Sequence, residues 1–158
     1  MSPYEPLTEL SFTISGRVAR PCAQVYEAVA DPDQLARYFT TGGARGRLEP
    51  GAEVTWEFAD HPGAFPVTVV EAQPPRRIVI EWDADAGTAE NGRTRTVFEF
   101  EPIDDDARTL VTITETSWQP TAEGARAAFG NCEGWASMLS ALKAWVEHGI
   151  NLREGFYR

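Results

Sequence analysis

Lysine is almost missing from this chain of 158 residues: Lys143 is the sole example, and arginine supplies the rest of the basic charge. Lysine and arginine together number 14 against 24 aspartates and glutamates, a net charge of -10. Phosphate backbones and anionic lipid surfaces are held by clustered Lys and Arg, so neither nucleic acid nor a membrane surface is expected as a partner. Cysteine is scarce too. Cys22 and Cys132 cannot build a metal framework, and both fall at apolar helix positions, which reads as two buried, reduced, inert thiols. The two histidines, His61 and His148, lie far apart without Cys or Asp at ligand spacing, so neither metal nor cofactor is expected. No apolar run approaches the ~20 residues of a membrane span. The start MSPYEPLTEL lacks a basic region followed by an apolar one, so the reading is a soluble, cytoplasmic protein without a signal peptide. A Gly-x-Ser-x-Gly elbow and a catalytic-cysteine signature are both missing. The glycine-rich TTGGARG (40–46) lacks the Lys-Ser/Thr of a P-loop and reads as a plain connection.

What is present is globular. Hydrophobic residues make up 42%, with five Trp and eight Phe, and a chain of this length buries roughly 70% of its unfolded surface. One domain over residues 1–158 is expected, with a leader at 1–8 and a tail at 150–158. Leu10, Phe12, Ile14, Gly16 and Val18 fall at period two, the mark of a strand with one buried face. Pro21 suits the first position of a helix running to Ala30; Asp31-Pro32 stops it, and Asp33 caps a second short helix from Gln34 to Phe39. Period two then returns over Arg47–Glu49, Glu53–Ala59, Pro66–Gln73, Arg77–Asp83, Thr94–Pro102 and Arg108–Trp118. Short turns between these segments mean an antiparallel meander. His61 falls in one such turn. Asp104-Asp105-Asp106 forms another, a solvated hairpin tip without the Gly and Glu of a calcium loop.

Past Pro120 the period becomes 3.6. Phe129, Cys132, Trp135, Met138, Leu139, Leu142, Trp145 and Val146 form one stripe. Gly130-Asn131 is expected to split it into a helix from Thr121 to Phe129 and a main helix from Asn131 to His148, N-capped by Asn131 and closed by Gly149. This order of elements predicts an α+β fold: a seven-stranded antiparallel sheet, two short helices between strands 1 and 2, and a long C-terminal helix lying across the sheet. Trp56, Phe58, Ile78, Ile80, Trp82, Phe98, Phe100, Val111 and Ile113 then face Trp135, Met138, Leu139 and Leu142. An aromatic-rich face of this kind looks the same in sequence whether it is packed solid or hollow. Glu115 shares the phase of Val111 and Ile113. A carboxylate on that face must be paired, protonated or near a cavity mouth; the alternative is a strand end where it reaches water.

The runs VARPCAQVYEAVADPDQLARYF (18–39), VFEFEPIDDDARTLVTITETSW (97–118) and GWASMLSALKAWVE (134–147) carry a resemblance to the START-like (SRPBCC, helix-grip) superfamily. Within it they most resemble bacterial proteins similar to the C-terminal domain of the activator of the heat-shock protein 90 ATPase. The resemblance implies a curved sheet gripping the long helix around a cavity for an apolar or amphipathic small molecule. It does not imply one chemistry, since the superfamily spans lipid carriers, hormone binders and polyketide cyclases. The ligand-binding candidates are Tyr38, Phe39, Trp56, Phe58, Trp82, Phe98, Phe100, Glu115, Trp135, Met138, Leu139 and Leu142, and no residue is assigned a catalytic role. The competing reading is a cyclase-like enzyme in which Glu115, Tyr26 or Tyr38 gives acid-base help. A co-chaperone-like role ranks last, because the eukaryotic activator carries a further N-terminal domain. A homodimer stays open.

Overall fold

The alternation read at the N-terminus becomes β1 (Leu10–Val18), whose inward residues end in fully buried Val18. The computed structural model describes residues 3–157, so Met1 and Ser2 of the expected leader and Arg158 of the expected tail lie outside the described residues. Two helices follow, α1 (Cys22–Ala30) and α2 (Pro32–Leu35). Six strands come next: β2 (Gly43–Arg45), β3 (Glu53–Phe58), β4 (His61–Gln73), β5 (Arg77–Asp83), β6 (Arg93–Ile103) and β7 (Arg108–Trp118). α3 (Ala122–His148) closes the domain. The expected α+β architecture is therefore present, with sheet order β1-β7-β6-β5-β4-β3-β2 and every pairing antiparallel. The register shifts at Leu10/Phe12, Trp56/Phe58 and Val69/Glu71, and irregularities of this kind bend a strand and steepen its twist. Inward side chains of the sheet meet α1, α2 and α3 in one core that includes Ile78, Ile80, Phe98, Phe100, Val111, Ile113 and Leu142.

Several expected boundaries moved, each for a local reason. Pro21 is the N-cap of α1 rather than its first residue. Asp31, not Asp33, caps α2 by accepting the Asp33 N–H at 3.0 Å, so α2 begins at Pro32 and stops at Leu35. β2 is Gly43–Arg45, within the glycine-rich stretch read as a plain connection, and Arg47–Glu49 forms no strand. β4 begins at His61, which pairs with Phe58 instead of lying in a turn. Asp106 is half-buried, and its Oδ1 accepts the Cys22 N–H at 2.9 Å; it caps the start of α1 and is not simply solvated.

The largest correction concerns the terminal helix. α3 runs unbroken for 27 residues, capped by the Thr121 hydroxyl on the Gly124 N–H and ended by left-handed Gly149. Asn131 is an interior residue whose amide points to the sheet. An interior glycine costs a helix only about 1 kcal/mol, which packing on a whole sheet readily offsets. The buried stripe passes through Ala128, Trp135, Met138, Leu139 and Leu142, with half-buried Asn131 on the same face by i, i+3, i+4 spacing. Phe129 sits one residue off that face and is 71% exposed. Cys132 is likewise half-buried, and only Cys22 is the buried thiol expected. Burial raises the Cys22 pKa first of all, with a hydrogen bond to Thr109 opposing it.

Candidate functional site

On β7 the period-two phase carries Val111, Ile113 and Glu115 inward, and all three are fully buried. Glu115 therefore does not reach water at a strand end. Its carboxylate collects donors from three other elements. Trp82 Nε1 of β5 donates at 2.8 Å and the Thr94 hydroxyl of β6 at 2.5 Å, both to Oε2. From α3, Trp135 Nε1 donates to Oε1 at 2.9 Å, and Asn131 Nδ2 reaches Oε1 and Oε2 at 3.1 and 3.3 Å. No Lys or Arg among the described residues forms an ion pair with it. An acceptor-only group surrounded by donors is the arrangement in which burying a carboxylate is tolerated. The cage also orients two indoles by their N–H groups.

Those indoles belong to an aromatic cluster. Trp82 and Trp135 lie 5.3 Å apart, Phe98 meets Trp135 edge-on at 5.3 Å, and Phe39 contacts Trp56, Phe58 and Trp135 at 5.0–5.7 Å. Such contacts favour edge-on and offset geometries and fill space efficiently. They fill the centre of the helix-sheet space. What stays open lies at its edge, where α3 faces β3, β4 and β5. One cleft of about 310 Å³ is bounded by Phe39, Phe58, Trp82, Trp135, Gly130 and Gly134. A second, of about 380 Å³, adjoins it and shares Phe58, His61, Trp82 and Asn131. Trp118 lines the second cleft, is 2% exposed, and has an indole Nε1 without a hydrogen-bond partner among the described residues.

The C-terminal segment closes one end of the first cleft. Arg153 pairs with Asp60 at 3.1 Å, and its guanidinium lies 4.9 Å from the centre of Phe58, 5.7 Å from Phe39 and 4.8 Å from Tyr157. Cations over ring faces at such distances are attracted by the ring quadrupole.

The twelve candidate residues are thus not one lining. Phe39, Phe58, Trp82 and Trp135 border the first cleft, with Glu115 directly behind it. Tyr38 and Met138 reach a separate cleft of about 160 Å³ beneath the C-terminal segment, and Leu139 borders a groove beside β1. Trp56, Phe98, Phe100 and Leu142 are core residues, each at most 1% exposed. The Tyr38 hydroxyl donates to Ala28 O at 2.9 Å, and burial holds its pKa well above the usual phenol range. Tyr26 packs edge-on against Phe100 at 5.3 Å, its pKa raised chiefly by burial. Sequence reasoning missed Thr94, Asn131, His61, Gly130, Gly134 and Arg153. Thr94 and Asn131 were within reach: Thr94 shares the phase of Phe98 and Phe100, and Asn131 stands one helical turn before Trp135. Nothing in the sequence marks Arg153.

Residues 19–147 match the family model described as activator of Hsp90 ATPase homolog 1-like protein. Among solved structures, a Staphylococcus saprophyticus protein is 24% identical with a TM-score of 0.75, over 91% of this chain and 96% of its own. The solution structure of the Aha1 dimer from Colwellia psychrerythraea is 20% identical with a TM-score of 0.69, over 89% of this chain and 98% of its own. A protein of the dynemicin biosynthetic locus is 22% identical with a TM-score of 0.71, over 88% of this chain but 48% of its own. At these identities the likeness is one of fold. No match was found among curated proteins.

Proposed function

The chain belongs to the activator of Hsp90 ATPase homolog 1-like family, and from that premise we propose that it binds an apolar or amphipathic small molecule in the cleft between α3 and strands β3 to β5. The observation that carries the reading is the caged Glu115. It fixes Trp82 and Trp135 as a rigid wall, and ligand sites are mainly apolar and aromatic surfaces with a few placed polar groups. Gly130 and Gly134 support it, because a Cβ added at either would meet nothing within 4 Å. Two helical glycines with no packing reason leave backbone bare along the cleft.

The cyclase-like reading draws support from the neighbour in the dynemicin biosynthetic locus. Of the groups it would use, Glu115 alone lies next to this cleft, buried behind its wall, and both of its oxygens already accept hydrogen bonds. Binding is therefore the reading we adopt. A homodimer is proposed by extension from the Colwellia protein, and sedimentation at several concentrations reads it.

Nile red titrated into the wild type and Gly134→Leu, a substitution at a half-buried lining position, tests the site. Binding tighter than about millimolar that is lost in the folded variant is the expected result. Binding of equal strength in both proteins would place the ligand elsewhere.

A further inference from the structure

The C-terminal segment stands between cavities. Arg153 and Tyr157 border the first cleft, the cleft of about 160 Å³ that Tyr38 and Met138 line, and a further one of about 410 Å³ beside Ala36, Thr41 and Ala59. The floors of the first two run into each other. Tyr38 in one precedes Phe39 in the other, and Met138 in one stands a helical turn after Trp135 in the other, on the buried face of α3. The wall they share is the segment itself.

That wall is lightly held. Its backbone bonds close within it: the Asn151 side chain accepts the N–H groups of Arg153 and Glu154 at 3.0 and 3.3 Å, and Arg153 O accepts the Phe156 N–H at 3.1 Å. Phe156 packs edge-on against Tyr157, again inside the segment. Ile150, Leu152, Phe156 and Tyr157 stay 39–64% exposed, so little apolar surface secures it. Among the described residues, the hydrogen bonds that join 151–157 to the rest of the domain all run from Arg153 to Asp60, reinforced by the guanidinium over Phe39 and Phe58. The Arg153 Nε is buried without an acceptor among the described residues, which weakens the closed position. Few buried apolar contacts and few bonds to the body of the domain mark a unit that opens locally at low cost. Left-handed Gly149, at the end of α3, is its pivot.

We infer that residues 149–157 form a strap, latched by Arg153, that divides one long apolar groove into separate clefts, and that its release admits elongated apolar molecules too long for either cleft. The inference rests on the binding reading above and adds to it a gate and a ligand shape. A ring system seated against Trp82 and Trp135 would then extend its tail past Phe39 onto Tyr38 and Met138. While the strap is closed, a long ligand binds only to the open fraction of molecules, and its apparent affinity is reduced by that fraction.

Two measurements on the full chain test this, each in wild type, Arg153→Ala and Arg153→Lys. The first is native-state hydrogen exchange. A stretch this short does not keep its own bonds once lifted off the domain, so Arg153→Ala should speed exchange at residues 150–157 about tenfold and leave α3 residues 135–146 unchanged. The second titrates 6-propionyl- and 6-lauroyl-2-dimethylaminonaphthalene, one fluorophore with a short and a long acyl tail. If the open form is about one-tenth populated in wild type, Arg153→Ala should raise the affinity for the lauroyl probe, relative to the propionyl probe, about tenfold. Arg153→Lys keeps the charge opposite Asp60 but loses the planar group over the rings, and should fall between the two in both measurements. Exchange at 150–157 that is unchanged in Arg153→Ala overturns the latch, whatever the probes do. Faster exchange with an unchanged ratio of the two affinities overturns the divided groove, and the binding reading then stands on the propionyl probe. If neither probe binds any of the three proteins below about millimolar, both fall.

Discussion

Glu115 is held by geometry that tolerates no change of donor and acceptor character. In Glu115→Gln one acceptor oxygen becomes an amide nitrogen that faces N–H and O–H donors from Trp82, Thr94, Asn131 or Trp135. A buried donor left unpaired costs about 1–3 kcal/mol, so urea denaturation should show a loss of about 2 kcal/mol. Thr114→Ala, next along the strand, removes only a hydroxyl that meets Thr13 at the surface and should stay within about 0.5 kcal/mol of wild type. Equal effects from the two variants would mean that the carboxylate is solvated. Trp135→Ala deletes a side chain only 2% exposed together with a donor to Oε1. The expected cost is about 3–5 kcal/mol, and a loss under about 0.5 kcal/mol would show the indole to be at the surface.

At the scale of the helix, the glycines of α3 divide by what surrounds them. A Cβ on Gly124 would lie 1.9 Å from the backbone oxygen of Gln119, whereas one on Gly130 meets nothing within 4 Å. Gly130→Ala should therefore stabilise by about 0.5–1 kcal/mol through helix propensity alone, and Gly124→Ala should destabilise by at least 1–3 kcal/mol, roughly the cost of overpacking. Thermal melts of the two variants shifting in the same direction would contradict this. The same helix shows what was legible in advance. Its apolar stripe and its closing glycine are periodic or punctuating signals, and so are the strand phases that put Trp56, Phe98 and Ile113 inward; the structure has them all. The break expected at Gly130-Asn131 rested on local cap chemistry, which the long-range bond from Asn131 to Glu115 overrides. That pairing crosses 16 residues, and the one between Trp82 and Glu115 crosses 33, distances over which periodicity carries no signal. For that reason Glu115, Trp82 and Trp135 were readable as inward residues, but the bonds between them were not.

The whole molecule is drawn together at the far end of α3. Glu147 accepts the Ala19 N–H at 2.9 Å and also pairs with Lys143, while Arg20 Nη2 donates to the Glu147 carbonyl at 2.8 Å. The helix end is thus bound to the segment between β1 and α1. Burial pushes the Glu147 carboxyl up, but the Ala19 N–H and Lys143 together outweigh it and hold its pKa below the ordinary 4.5. Glu27 is also lowered, first by its hydrogen bonds from Arg47. A pKa lower in the folded state than in the unfolded one stabilises above the unfolded value, and that contribution is lost as pH falls through the folded value. Wild type should exceed Glu147→Gln by about 1 kcal/mol at pH 7, with the gap closing as pH drops below 4.5; urea midpoints across that range check it, and a gap that widens in acid would refute the sign. The sheet order has a consequence in time. β1 is made before the other strands, yet its only strand partner among the described residues is β7, with Val18 opposite Thr109 about 90 residues later. On a ribosome adding about 5–20 residues per second, the half-buried side chains of Phe12 and Ile14 must wait several seconds for the strand that shelters them, while β2 to β6 zip up as neighbours. During synthesis β1 is the segment most open to chaperones and to mispairing with another nascent chain.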